Sequence, residues 1–351
     1  MAKKTVFVGL SGGVDSAVSA ALLKKNGYKV VGVFIQTWHP DFIVCNEEDE
    51  RRDAMRVAAH LDIPFLTLDL SLEYKRDVAN YMIDEYRHGR TPNPDVLCNS
   101  HIKFGGFLHY ALSKGADFVA TGHYAQQTKH SLIKAKDESK DQVYFLWQLK
   151  QKQLEKIIFP IGYLNKTQVR TLAKKFKLPV SEKKDSQGIC FLGDIDLKDF
   201  LKHYIQIKKG DVLNEKGEVI GEHDGALFFT LGERHGFTIT KKTPNDTRYY
   251  VVNKDIKKNT ITVSQNISNN IFSAASNTIH ITKTNWIKEK PVINQAYTAQ
   301  IRYHGDFLPC RVICSSNDSA DVVFDAPVLA ASGQSIVVYD AQTMVGGGVV
   351  A

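Results

Sequence analysis

The hexapeptide Ser11-Gly12-Gly13-Val14-Asp15-Ser16 limits the architecture more than any other part of this chain. It follows an apolar run from Thr5 to Leu10 and precedes an alanine- and leucine-rich stretch from Ser16 to Asn26, which Gly27 ends. The first run reads as a buried strand and the second as a helix, with a tight glycine turn between them. Paired glycines let the backbone approach a ligand closely, and the helix start offers unpaired N–H groups and positive dipole to an anion. Ser11 and Ser16 add hydroxyls, and Asp15 is placed either to cap the helix or to help hold a magnesium ion between phosphates. No Lys-Ser or Lys-Thr follows the turn, so the loop is not a Walker A motif. Strand and helix then continue to alternate. Lys29 to Ile35, Phe65 to Leu68 and Asp117 to Thr121 read as strands, and Glu47 to Leu61 and Leu72 to Arg87 as helices. That order predicts an α/β fold with a doubly wound parallel sheet.

Beyond Lys209 the pattern changes to short β-rich runs between Gly, Asn and Asp turns, among them Ala226 to Thr230, Arg248 to Val252, Thr260 to Val263 and Ser335 to Tyr339. With 351 residues the chain has room for more than one core. We therefore expect a catalytic domain over 1–204, whose part from about 129 is helical, and two small all-β domains over 205–275 and 276–351. No stretch is long and apolar enough for a membrane helix, and the first residues leave no room for a signal peptide, which points to the cytoplasm. Five cysteines at uneven spacing suggest no disulfide framework. The net charge of +7 is concentrated: residues 129–184 alone carry +9, while the parts before and after each carry −1. Such a segment is either a solvated lysine-rich face or a footprint for a polyanion.

Two loops place thiols in unusual settings. In Arg90-Thr-Pro-Asn-Pro-Asp-Val-Leu-Cys98-Asn99, Pro92 and Pro94 restrict the backbone that carries Cys98 close to Asp95. In Lys183-Lys-Asp-Ser-Gln-Gly-Ile-Cys190-Phe191, Cys190 lies near two lysines, and neighbouring positive charge favours the reactive thiolate. Cys310 and Cys314 would be about 13 Å apart along one strand, too far to share a metal. They read as structural, as does Cys45, and no metal site is expected from side chains.

The turn at Ser11 to Ser16 resembles the PP-loop of ATP pyrophosphatases, enzymes that split ATP between its α- and β-phosphates. Taken with Thr91 to Asn99, Ala120-Thr-Gly-His-Tyr-Ala125, Asp185 to Phe191 and Gln300-Ile-Arg-Tyr303, it makes nearly the whole chain similar to the tRNA-specific 2-thiouridylases. The resemblance implies ATP-dependent 2-thiolation of the wobble uridine of tRNA. ATP, with Mg2+, adenylates the uracil 2-carbonyl, and a cysteine persulfide charged by a sulfur donor protein delivers sulfur. It implies nucleotide contacts at Gly9, Leu10, Ser11, Gly12, Gly13, Val14, Asp15 and Ser16, at Ile35 and at Gly122. Cys190 would carry the persulfide, Cys98 would form a disulfide with it as sulfur leaves, and Asp95 would serve as acid or base. Asn93, Pro94 and Asp95 would meet the target base. His123, Lys140, Asp141, Gln142, Arg302, Tyr303 and Gln334 would touch tRNA. Gly232-Glu233-Arg234 and Ser332-Gly333-Gln334 depart from the family's usual Gly-Gln-Arg and Pro-Gly-Gln. Two other readings predict different behaviour: a PP-loop synthetase adenylating a small molecule would not need either cysteine, and a non-catalytic RNA-binding protein would release no pyrophosphate.

Overall fold

The computed structural model describes residues 3–43, 46–128, 130–185, 196–242, 246–265 and 275–351. The first strand, β1 (Thr5–Gly9), runs into helix α1 (Val14–Lys25), and β2 (Lys29–Gln36), α2 (Glu47–His60) and β3 (Phe65–Asp69) follow. The stretch read from sequence as one helix is α3 (Ser71–Tyr74), a π-helical run Lys75–Ala79 and α4 (Asn80–Arg87). After it come α5 (Pro94–Leu97), a second π-helical run Cys98–Gly106, α6 (Phe107–Ser113), β4 (Phe118–Ala120) and a hairpin of β5 (Gln126–Thr128) and β6 (Ser131–Ile133). Next are α7 (Gln151–Leu154), β7 (Ile157–Ile158), α8 (Lys166–Lys175) and α9 (Leu197–Lys202).

The first sheet has the order β3-β2-β1-β4-β7 and is parallel throughout, as the alternation predicts. Side chains on β1 alternate between two cores. Val6 and Val8 pack with α1 and α8, and Phe7 packs with the helices from Tyr74 to Ala111. A strand covered on both faces must be apolar throughout, which is why Thr5 to Leu10 reads as a continuous run. The chain moves from β1 outward to β3, then returns to β4 on the other side of β1. Strand order reverses there, opening a crevice beyond the carboxyl ends of β1 and β4 where an open α/β sheet takes its ligand.

The central unit pairs β8 (Gly210–Leu213), β9 (Val219–His223), β10 (Phe237–Ile239), β11 (Tyr250–Asp255) and β12 (Thr260–Ser264) in the order β10-β9-β8-β12-β11. Ala226–Phe228, expected as strand, is a 3-10 turn instead. The Asn259 side chain accepts from the Ala226 N–H at 2.9 Å, Ala226 and Phe229 are buried in the core of this unit, and Phe228 is buried in that of the first domain. The last unit comprises β13 (Ala275–Trp286), β14 (Tyr297–Gln300), β15 (Leu308–Cys314), β16 (Ser319–Leu329), β17 (Ser335–Asp340) and β18 (Thr343–Val350). Its order is β13-β16-β15-β14-β17-β18, closed by pairing of β13 with β18. Cys310 and Cys314 lie on β15, the first buried and the second half-buried.

The segment after 129 is less helical than expected. Its β7 extends the parallel sheet, and β6 pairs antiparallel with β18, so the hairpin adds two strands to the C-terminal barrel. The pairing depends on sequence distant from the hairpin, which local periodicity cannot report. Tyr144 donates to the Ser335 carbonyl at 2.8 Å, the Trp147 indole donates to the Ser335 hydroxyl at 3.0 Å, and Asn285 donates to the Trp147 carbonyl at 2.7 Å. These bonds, the two at Ser335 buried, seat the catalytic domain on the last barrel.

Candidate active site

The glycine turn bends sharply because Gly12 has φ +72°, and a Cβ added there would collide with the Glu50 carbonyl oxygen. Only glycine fits both the conformation and the space. Ser16 Oγ accepts from the Ser11 N–H at 3.2 Å and donates to the Gly13 carbonyl at 3.2 Å, which tightens the loop. Gly13 is the N-cap of α1 and supplies no side-chain cap, so the amides of the first turn keep their donors for an anion. Asp15 does not cap the helix. Gly122, after β4, packs on the same turn: a Cβ there would come within 2.6 Å of the Ser16 nitrogen. Leu10 is buried, and the Ile35 side chain approaches Gly9 from β2. The expected nucleotide residues thus meet at the switch point of the sheet.

Asp15 is engaged by groups that sequence reading did not select. Lys166, at the first position of α8, reaches its two oxygens at 2.8 and 2.9 Å, and Tyr124 donates to Oδ1 at 2.9 Å. The Lys166 ammonium, 15% exposed, also lies 2.8 Å from Asp185. Arg170, one turn along α8, bonds Asp185 at 2.5 Å, and Lys140 lies 3.4 Å from it. Burial pushes the Asp185 carboxyl up, but Lys166, Lys140 and Arg170 together pull it below the usual range. Lys166 therefore joins the glycine turn to the residue that opens the Cys190 segment. Spacing could not reveal this, since Asp15 and Lys166 are far apart in the chain; only the +9 count over residues 129–184 hinted at it. Lys183 similarly binds Asp53 on α2 at 2.8 Å.

The proline loop enters α5 at Pro94, and Cys98, 2% exposed, begins the π-helical run. Asp95 is half-buried, and desolvation raises its carboxyl pKa against the opposing charge of Lys103. His123 is 7% exposed, bonded through Nδ1 to Thr121 Oγ1 at 2.7 Å and flanked by Phe104 and Phe159. Burial and the charge of Lys103 hold it well below the ordinary histidine range, so it is neutral. Lys103 thus acts electrostatically on both Asp95 and His123, linking the two loops.

Residues expected to contact tRNA fall into two sets. Asp95 and Tyr303 are brought near each other: Tyr303 packs on Phe145 at 4.3 Å, and its hydroxyl is pushed up to about 12 by burial, with Asp141 and Asp95 adding to the effect, while Asn93 lines a cleft with Gly333 and Ser335, the neighbours of Gln334. The Thr91 N–H donates to the Ser332 carbonyl at 2.8 Å, and Gly333, at φ +89°, packs against Arg90 and Thr91. The Thr91 hydroxyl also meets that of Thr230 in the central barrel at 3.0 Å. The proline loop therefore touches both β units. Arg302 is exposed and reaches toward Gly232. The second set is held inward. Gln142 exchanges bonds with Tyr124 through its backbone and Oε1, Asp141 accepts from Ala135 and Val143, and His123 is enclosed by aromatics. Cys45, Cys190 and its neighbours Ser186 to Ile195 lie outside the described residues.

A switch-point sheet with a glycine-lined, uncapped helix start, followed by two small barrels, defines a nucleotide-binding protein of the HUP class. Family profiles agree in three consecutive pieces: a tRNA methyl transferase HUP domain over residues 4–194, a tRNA methyl transferase PRC-barrel domain over 198–265 and an aminomethyltransferase beta-barrel domain over 276–350. The chain belongs to the family of the tRNA-specific 2-thiouridylases. Relatives named tRNA-specific 2-thiouridylase MnmA match it from end to end. The one from Nitrosomonas europaea is 43% identical over 100% of this chain and 99% of its own. Those from Geobacillus thermodenitrificans and Listeria monocytogenes serotype 4a are 41% and 43% identical, each over 98% of this chain and 94% of its own.

Proposed function

We propose that this protein uses ATP to replace the 2-oxygen of the wobble uridine of tRNA with sulfur. The observation that carries the reading is the uncapped glycine turn joined by Lys166 to the start of the Cys190 segment, in a chain of this family. ATP is a substrate. Its phosphates lie against the first-turn amides of α1 and the hydroxyls of Ser11 and Ser16, with Gly9, Leu10, Gly12, Gly13, Val14, Ile35 and Gly122 forming the walls. Mg2+ bound with the nucleotide would offset the charge of the triphosphate, and Asp15, paired with Lys166, is the nearest carboxylate of the glycine turn to it. The uracil leaves the anticodon stack for a pocket beside Asn93, Pro94 and Asp95. Its 2-oxygen bonds to the α-phosphorus and pyrophosphate leaves, which turns a poor leaving group into AMP.

The persulfide on Cys190, charged by a cysteine desulfurase or a sulfur-relay protein, attacks C2 through its outer sulfur, and AMP departs. Cys98 then attacks the Cys190 sulfur and breaks the S–S bond. This frees the 2-thiouridine and leaves a Cys98–Cys190 disulfide for a thiol reductant to reset. Asp95, raised by burial, holds or donates a proton at the base. Lys140, Arg302, Tyr303 and Gln334 line the RNA approach, while Asp141, Gln142 and His123 shape it from beneath. The enzyme works in the cytoplasm; among the described residues no helix is long and apolar enough to cross a membrane.

Purified protein given unmodified tRNA, Mg-ATP, a cysteine desulfurase and cysteine is expected to yield both pyrophosphate and 2-thiouridine, each dependent on tRNA. Cys190→Ser is expected to keep the pyrophosphate and lose the thiouridine. Pyrophosphate release that needs no RNA, or equal thiolation by this variant, would overturn the reading.

A further inference from the structure

Asn99 is 3% exposed and follows Cys98 directly in the chain. Its Nδ2 donates to the Phe145 carbonyl at 3.2 Å. A carbonyl can only accept, so the amide orientation is fixed: the nitrogen faces Phe145 and Oδ1 faces elsewhere. That Oδ1 is buried with no hydrogen-bond partner. A buried acceptor left unpaired costs about 1–3 kcal/mol, which a fold keeps only for a reason. The other orphaned side-chain atoms among the described residues belong to Gln127, His223 and Trp286, on strands of the barrels or the hairpin. Asn99 alone among them lies in the segment that carries Asp95 and Cys98.

Asp95, Asn99 and Lys103 follow one another at four-residue spacing along a continuous helical run, which brings them to one face. Two relations support that placement. The charge of Lys103 acts on the Asp95 carboxyl, and Phe145, which holds the Asn99 amide, packs at a tilt on Tyr303, whose hydroxyl is within electrostatic reach of Asp95.

We infer that Asn99 Oδ1 is the acceptor that reads the N3–H of the target uracil, making Asn99 a specificity-determining residue of the thiolation. This rests on the uridine reading above. Uracil carries a donor at N3, where cytosine carries an acceptor, so an oxygen facing that position pairs with one base and is left unpaired by the other. An amide oxygen also suits the chemistry better than a carboxylate, because it holds the N3 proton without removing it. The O2–P bond forms and pyrophosphate leaves while N3 keeps its hydrogen, so C2 stays electron-poor for the incoming sulfur. The C2–S bond then forms, the C2–O bond breaks with AMP, and the product still carries N3–H. Cys98, the residue before Asn99, is equally buried.

The test uses the full chain and tRNA carrying either uridine or 3-methyluridine at the target position. Thiouridine from wild type and unmodified tRNA checks the underlying function first, and its absence would sink that reading instead. Asn99→Ala is expected to lower kcat/KM on uridine by about 10- to 100-fold with tRNA affinity little changed, beyond the modest drop in Tm that loss of the Phe145 bond brings. N3-methylation should cost wild type a similar factor but cost the variant less than about threefold further, since both remove one interaction. Losses that multiply, or full activity of Asn99→Ala on uridine, would overturn the assignment. Asn99→Ser serves the same comparison if the alanine variant does not fold.

Discussion

The Asp141 carboxyl accepts from the Ala135 amide at 2.8 Å and the Val143 amide at 3.5 Å, yet burial pushes its pKa up to about 6 against those bonds and Lys134. A folded-state pKa above the unfolded value means the folded form holds the proton more tightly. The associated stability is present below the unfolded pKa and is lost as pH rises through about 6. Melting of wild type against Asp141→Asn should therefore show the wild type losing ground between pH 4 and pH 7; a constant difference in Tm would refute the assignment. At this scale the sequence was legible in part. Lys140-Asp141-Gln142 could be singled out, but not that Gln142 closes on Tyr124 while Tyr124 holds Asp15. The same limit applies to His123, whose neutral state comes from Phe104, Phe159 and Lys103, brought to it by the fold.

Two elements meet at Asp15: α1, which presents it, and α8, whose first residue neutralises it. The alternation of apolar runs located α1, and its ends fell within a few residues of expectation, because amphipathic spacing and a glycine stop are local properties; for α8 the sequence indicated a helical part from about 129. The turn at Ala226–Phe228 and the π-helical run at Lys75–Ala79 were not legible, since apolar residues serve such geometries as well as strands and α-helices. Lys166→Met should leave the fold intact but reduce tRNA-dependent pyrophosphate release at least tenfold, because Asp15 would then face the triphosphate without its cation; unchanged release would show that the pair is only structural. Gly12→Ala is a harsher change. It forces a positive φ on a side chain that meets the Glu50 carbonyl, and should cost about 1–3 kcal/mol of stability by urea titration along with ATP binding.

Across the whole molecule, the positive segment is partly used up by the fold. Lys140, Lys166, Arg170 and Lys183 face Asp185, Asp15 and Asp53, and Lys174 pairs with Glu182, whereas Lys136, Lys150, Lys152, Lys156, Lys175 and Lys177 remain exposed. If the exposed group is the RNA footprint, tRNA affinity should fall steeply with salt, and neutralising Lys150, Lys152 and Lys156 together should flatten the slope by about two to three units in a filter-binding titration; an unchanged slope would move the footprint elsewhere. The three-part organisation could be read from the change in pattern after Lys209. How the parts join could not, because Thr91 meets Ser332 and Thr230 through contacts that no local pattern encodes.

The hairpin of β5 and β6 pairs through Leu132 and Ile133 with Met344 and Thr343 on β18. During synthesis, therefore, the ribosome delivers this edge long before the strand that covers it. Until then the nascent catalytic domain carries an open strand edge, a template for unwanted pairing with other chains. Translation that stops within the last barrel would leave that edge uncovered for good, so the shortened product is a natural substrate for chaperones and proteases, however well the parallel sheet before it has formed.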